Sequence, residues 1–116
     1  MALQIFGTKK CKNSRKAERF FKERRVPFHF VDIKVKPPSP GELVSIASAV
    51  GWEEMLDKES KGYSEGGYSY RIRVEEDIPD NLIDNPGLLK TPVVRMGREA
   101  CTGFAPGKWK EFADKS

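Results

Sequence analysis

Apolar and polar positions alternate or recur along the chain with periods that separate strands from helices. Residues 2–6 are short and apolar, with Leu3, Ile5 and Phe6, and predict a first strand. Gly7 to Lys12 is a polar loop, and a helix is expected to start near Asn13 or Ser14, both good N-cap residues. Ala17, Phe20 and Phe21 then recur at i, i+3 and i+4 and define one buried face. Arg24 and Arg25 suit the negative end of the helix dipole, and Pro27 blocks further extension. Residues 28–35 carry Phe28, Phe30, Val31 and Ile33 and predict a second strand that includes His29.

Ser39-Pro40-Gly41-Glu42 is a capping box with proline at the first helical position. Leu43, Ile46, Ala47 and Val50 follow at helical spacing, and Gly51 is a natural stop. Short helices are expected over residues 52–58 and 79–84, the latter ended by Pro86, while residues 61–70, rich in Gly, Ser and Tyr, read as a surface loop. Residues 93–96 and 99–102 flank Gly97-Arg98 and predict a hairpin. A last helix from Pro106 buries Trp109, Phe112 and Ala113. The order β-α-β, helices, β-β-α predicts an α/β domain of thioredoxin-like architecture. It would hold a mixed four-stranded sheet, with a helical insertion over roughly residues 39–90 of a single domain spanning 1–116.

Composition supports a small folded domain. Leu, Ile, Val and Phe make up 27 of 116 residues, above the roughly 20% level below which chains tend to stay disordered. The mean hydropathy is −0.59. No apolar run approaches the roughly 20 residues of a membrane helix, and the first residues lack the long apolar stretch of a signal peptide. A cytoplasmic protein that binds no membrane is therefore expected, and a monomer. The net charge is +4 and the pI about 9.1, modest for a nucleic-acid binder. The Tyr63, Tyr68 and Tyr70 group lacks the basic stripe that base stacking would need, so no nucleic-acid partner is expected.

The charges are mixed except at one place, where Lys9, Lys10, Lys12, Arg15 and Lys16 surround Cys11. Cys11 falls between the first strand and the first helix. A helix N-terminus and nearby cations both stabilise a thiolate, the reactive form of cysteine. A lowered pKa is expected there, against the alternative of a buried, inert cysteine. The dithiol pattern C-x-x-C is absent, because the fourth position is Ser14. An adduct on Cys11 must then be released by a thiol from elsewhere. The two cysteines and His29 are too scattered for a zinc site, so no metal is expected. Thr91-Pro92 opens the apolar strand Val93-Val94 as a cis-proline loop would. A cis Thr91–Pro92 bond beside Cys11 is the expectation for a thioredoxin-like fold, against the alternative of a trans proline that starts an edge strand. Cys101 lies on the hairpin, where packing is the simpler role and a second, resolving thiol the alternative. His29 is expected to be structural rather than a base.

Four stretches, Cys11-x-x-Ser14-Arg15, Asn85-Pro86-Gly87-Leu88-Leu89, Thr91-Pro92-Val93-Val94 and Gly103-Phe104, carry a resemblance over nearly the whole chain. The sequence resembles the glutaredoxin-like arsenate reductase family, which also contains Spx-type transcription regulators. The resemblance implies that Cys11 is the nucleophile, that Ser14 and Arg15, with Lys10 and Lys12 beside them, stabilise thiolate and anion, and that Thr91 and Pro92 shape the site. It implies no bound cofactor, with glutathione as co-substrate and glutaredoxin or another protein as partner.

The family's enzymes carry arginines where this chain has Thr91, Thr102 and the Asp57–Lys58 region. An oxyanion of charge about −2 needs several charge-assisted hydrogen bonds, so arsenate turnover is expected to be weak unless Lys58, Arg71 or Arg73 compensates. The expected function is a monothiol oxidoreductase acting on a small thiol or oxyanion. The alternative is a non-catalytic Spx-type interaction module. Regulators of that type carry a C-x-x-C switch and bind an RNA polymerase subunit, and Ser14 removes the switch.

Overall fold

A computed structural model describes residues 3–116; Ala2, expected to open the first strand, lies outside the described residues. Its sheet has four strands: β1 (Leu3–Gly7), β2 (His29–Asp32), β3 (Val93–Met96) and β4 (Glu99–Thr102). They lie in the order β2-β1-β3-β4. β1 and β2 are parallel, with Ile5 opposite Phe30. This pairing needs a crossover, supplied by helix α1 (Lys12–Glu23). β3 runs antiparallel to β1, with Val93 opposite Phe6. β4 folds back on β3, so that Cys101 faces Val94. Gly97 makes the turn between them at φ 61°, a conformation open to glycine.

The period-2 alternation of the strands splits the core into two layers. Leu3, Ile5, Val94, Met96 and Cys101 face Ala17 and Phe21 of α1 and Trp109 and Phe112 of the last helix. Phe6, Val31, Val93 and Ala100 face the opposite way, onto Leu43 and Ile46 and the apolar residues of the segment between β2 and β3. That segment is helical wherever it is regular. It holds α2 (Pro40–Val50), α3 (Lys61–Glu65), α4 (Tyr68–Arg71) and α5 (Ile78–Asp84), with 3-10 turns at Glu53–Met55, Glu75–Asp77 and Pro86–Leu88. Helix α6 (Pro106–Lys115) closes the chain. The capping box of α2 forms as its sequence predicts, with the Ser39 hydroxyl accepting from the Glu42 amide.

Three local expectations are corrected. The second strand stops at Asp32, and residues 33–35 turn away, because the Asp32 carboxylate and carbonyl accept from the Lys34 and Val35 amides. The helix expected over 52–58 shrinks to one 3-10 turn. Residues 61–70 are two short helices rather than a loop. Ser60 caps the first through the Tyr63 amide. Tyr63 and Tyr68 pack against the core under the sheet, and the Tyr68 hydroxyl accepts from Asn85 Nδ2 at 3.2 Å. Partial burial of two tyrosines overrides a Gly- and Ser-rich composition.

Candidate active site at the start of helix α1

The close approach of α1 to the end of β1 rests on Gly7. A Cβ there would stand 2.3 Å from Ser14 Oγ and 2.8 Å from Ser14 Cβ, and Ser14 is fully buried. The loop between them is tied by Thr8. Its hydroxyl and carbonyl accept from the Cys11 amide at 3.1 and 3.2 Å, and its own amide donates to Ser14 Oγ at 3.4 Å.

The N-cap of α1 is Cys11 itself, not Asn13 or Ser14. Its sulfur accepts from the Ser14 amide at 3.4 Å, taking the role an Asp or Ser oxygen plays elsewhere. Asn13 and Ser14 fall inside the first turn, where they lend backbone amides to the sulfur instead of capping.

The second wall of the site comes from the far end of the chain. Lys90 N donates to the Met55 carbonyl at 2.7 Å and Asp57 N to the Leu88 carbonyl at 2.9 Å. On the other side Gly103 N donates to the Pro92 carbonyl at 2.9 Å. Held between these anchors, the Thr91–Pro92 bond is cis, as expected. The loop lies against the thiol. Thr91 Oγ1 donates to Cys11 Sγ at 3.2 Å, and Sγ in turn lies 3.7 Å from the Thr91 carbonyl.

The thiol of Cys11 is half-buried. Burial opposes its ionisation, but the Ser14 hydroxyl, the Thr91 hydroxyl and the Ser14 and Asn13 amides outweigh it and hold the pKa below the ordinary thiol value. The explicit hydrogen bonds to sulfur are those of the Ser14 amide and Thr91 hydroxyl; the Ser14 hydroxyl acts from beside them. The expected direction is therefore met by a different cause. Lys10, Lys12 and Arg15 are exposed, and the depression comes from hydroxyls and amides rather than from charges. Thr8, Gly7 and the Thr91 hydroxyl escaped the sequence reading. The signal for Thr8 was present: a threonine hydroxyl in a short polar loop readily accepts from a backbone amide a few residues on, here that of Cys11.

The other candidates sit apart. Cys101 is buried on the edge strand β4, and both cysteines are free thiols. Burial pushes its pKa up to about 11, opposed weakly by Lys108 and the Val94 backbone. The Trp109 indole N–H is buried without a hydrogen-bond partner of its own. His29 is exposed on the outer strand β2.

The positions where guanidinium groups were expected are otherwise engaged. Thr91 bonds the thiol, and Thr102 Oγ1 donates to the Glu54 carbonyl at 3.0 Å. Lys58 pairs with Glu53 at 3.2 Å on the surface. Arg71 lies over the Tyr68 ring, and Arg73 Nε donates to the Tyr70 carbonyl.

Next to Thr8 and Thr91, the two residues that bond Cys11, opens a cleft of about 500 Å³ whose lining also includes Ile33, Lys34, Asp57 and Leu89. Asn85-Pro86-Gly87 forms part of its rim, fixed by Asn85 Oδ1 accepting from the Gly87 amide at 3.1 Å. Among the described residues no three His, Cys, Asp or Glu side chains gather as a metal site, and no helix is long and apolar enough to cross a membrane.

A parallel-then-antiparallel four-stranded sheet, a cysteine capping the first helix and the Thr91-Pro92 loop facing it are those of a thioredoxin-like protein. The fold agrees at low sequence identity with the NrdH-redoxin of Escherichia coli (14% identical, TM-score 0.51, covering 96% of this chain and 93% of that one). More particularly, the ArsC family model matches residues 6–112, and the chain belongs to the ArsC family. It is similar to an arsenate reductase from Vibrio cholerae, with a TM-score of 0.82 at 19% identity over 96% of this chain and 97% of that one. It is also similar to the global transcriptional regulator Spx of Enterococcus faecalis, 25% identical over 112 residues, or 95% of this chain and 85% of that one.

Proposed function

We propose that the protein is a cytoplasmic monothiol oxidoreductase of the thiol–disulfide exchange type, with Cys11 as nucleophile and glutathione as reductant. The observation that carries this reading is the Cys11 sulfur, which caps α1 and takes hydrogen bonds from the Ser14 amide and the Thr91 hydroxyl. These donors stabilise the thiolate and, equally, the sulfur that leaves when an adduct is broken. In the first step the Cys11 thiolate attacks the glutathione sulfur of a mixed disulfide R–S–S–G. The Cys11–S–S–G disulfide forms, the S–S bond of R–S–S–G breaks, and RS⁻ departs. A second glutathione thiolate then attacks Cys11–S–S–G, releasing oxidised glutathione and restoring the Cys11 thiolate. The net change is R–S–S–G plus one glutathione thiolate giving RS⁻ and oxidised glutathione, so one glutathione thiolate is consumed per turnover. Cys101, buried and with a raised pKa, does not resolve the adduct. Lys10, Lys12 and Arg15 line the approach as exposed cations. Arsenate is a poor substrate in this reading, since Thr91, Thr102 and Lys58 are committed to the contacts described above.

The likeness to Spx favours a second reading, in which the same fold serves as a protein-interaction module and Cys11 is not turned over. Turnover of a glutathione mixed disulfide by the wild type, Cys11→Ser and Cys101→Ser proteins separates the two. The oxidoreductase reading expects activity in the wild type and in Cys101→Ser and background rates in Cys11→Ser. A wild type no faster than Cys11→Ser overturns it and leaves the interaction module.

A further inference from the structure

The surface around Cys11 is sharply divided by charge. Residues 8–17 and 90–92 surround the thiol, and residues 102–107 lie against them, with the Gly103 amide donating to the Pro92 carbonyl and Phe104 beside Lys16. Together they carry Lys9, Lys10, Lys12, Arg15, Lys16 and Lys90 and no aspartate or glutamate. Lys9, Lys10, Lys12, Arg15 and Lys16 are exposed, and among the described residues none of the five is in an ion pair with a carboxylate; the ion pairs present involve Lys58, Arg95, Lys108 and Lys115. Beside them Phe104 is 56% exposed. Its ring stands edge-on to Trp109 at 5.4 Å and lies under Lys16 Nζ at 5.0 Å. Across Thr91 the sign reverses: Glu53, Glu54, Asp57 and Glu59 border a second hollow that also touches Lys58 and Lys90.

Cations left unpaired in a folded protein, gathered round one reactive sulfur, raise the local concentration of anionic partners and speed their encounter. The exposed aromatic ring beside them gives an arriving chain an apolar foothold. The cleft bordered by Thr8 and Thr91 is lined by none of these cations and not by Phe104. We infer that the α1 side of the Cys11 site docks a protein segment in which the reacting cysteine is flanked by acidic residues and an aliphatic or aromatic side chain that meets Phe104. The inference rests on the thiol-exchange reading and names its partner class. A thiol at the centre of the patch favours a cysteine-bearing peptide over a nucleic acid, whose phosphates offer no sulfur to attack.

The test uses the full chain and short peptides with one cysteine, each held as a mixed disulfide with 2-nitro-5-thiobenzoate. Cys11 attacks the peptide sulfur, the Cys11–peptide disulfide forms, and the coloured aryl thiolate leaves, so the step is complete without another oxidant. Two peptides carry glutamates, before or after the cysteine, and two carry lysines in the same places. At low salt the faster acidic peptide is expected to react about tenfold or more faster than the faster basic one. That ratio should fall towards one in 1 M salt, where the screening length is about 3 Å. It should also collapse in Lys9→Glu/Lys16→Glu. Because the readout is a ratio, a change in intrinsic thiol reactivity cancels. Equal rates for acidic and basic peptides, with all of them reacting, overturn the docking surface and leave thiol exchange standing. No reaction with any peptide, while iodoacetamide still alkylates Cys11, overturns both. A single-stranded oligonucleotide that blocks the reaction better than an uncleavable acidic peptide of equal charge overturns the protein partner in favour of nucleic acid.

Discussion

The two cysteines of this chain share a side chain and little else. Cys11 stands at a helix start, half-exposed, with a hydroxyl and backbone amides directed at its sulfur. Cys101 lies in the edge strand β4, in the layer of Trp109 and Phe112, with burial as its dominant influence. One pKa falls below the ordinary thiol value and the other rises to about 11. Burial acts in the same direction on both. What differs is whether donors stand ready to replace the water that burial removes. Reactivity here is thus a property of local hydrogen-bond supply, set by where the chain places each residue.

The comparison is tested most directly by alkylation. At neutral pH a thiol of pKa about 11 is ionised about a hundredfold less than one at the ordinary value of 9.0, and Cys11 lies on the other side of that value. The lower-pKa thiolate is the weaker nucleophile, which offsets part of this advantage, so limited iodoacetamide treatment followed by mass spectrometry should label Cys11 about tenfold or more faster than Cys101. Equal labelling would erase the distinction.

A second consequence concerns stability. The fold favours the neutral Cys101 thiol, so its contribution is complete below the unfolded-state pKa and is lost as pH rises from about 9 to about 11. Two pKa units correspond to about 2.7 kcal/mol. Denaturant unfolding at pH 8 and pH 11 should show the wild type losing about 2–3 kcal/mol more than Cys101→Ala between the two. Parallel pH profiles would mean that Cys101 ionises freely in the folded protein.

Much of this arrangement is legible in the sequence. The hairpin strands, the capping box of α2 and the position of Cys11 all follow from punctuation by Gly, Pro and Ser combined with short apolar runs. The parallel β1–β2 pair and the antiparallel β3 follow from the order of elements. The thiol's surroundings were harder to read. Lys10, Lys12 and Arg15 are neighbours in the chain, yet they are exposed to water. Thr91 is 80 residues away and touches the sulfur. Sequence adjacency overweights charge and misses a hydroxyl delivered by a β-strand entering from the other half of the fold. Residues 61–70 were misread for a related reason, since their helices depend on Tyr63 and Tyr68 reaching a core built by distant segments.

Gly7 offers a way to weaken the favoured cysteine without touching it. Gly7→Ala forces its new Cβ onto the buried Ser14, and turning the hydroxyl away still leaves Ser14 Cβ at 2.8 Å. Overpacking of this kind costs about 1–3 kcal/mol. Denaturation midpoints should fall accordingly. Cys11 alkylation should slow as well, because Ser14 carries both the amide and the hydroxyl that favour the thiolate. Loss of stability with unchanged Cys11 reactivity would uncouple the β1–α1 packing from the thiol.

Thr91→Val is the smallest change and separates the donors from one another. Valine keeps the branched shape beside Pro92 and removes only the hydroxyl that donates to Cys11 Sγ at 3.2 Å. The Ser14 and Asn13 amides remain, and so does the opposing burial. With one of its donors lost, the Cys11 pKa moves up, and the thiolate fraction at pH 7 falls. A hydrogen bond of this kind contributes about 0.5–1.5 kcal/mol net, so alkylation at pH 7 should slow severalfold, by at most about tenfold. The sign of the pH dependence discriminates further. Above the raised pKa both proteins are fully ionised, and their rates should converge, with the variant equal to or slightly faster than the wild type because a more basic thiolate is the better nucleophile. A variant slower by the same factor at every pH would show that Thr91 acts on access to the sulfur and not on its charge. The cysteine would then owe its reactivity to the start of α1 alone.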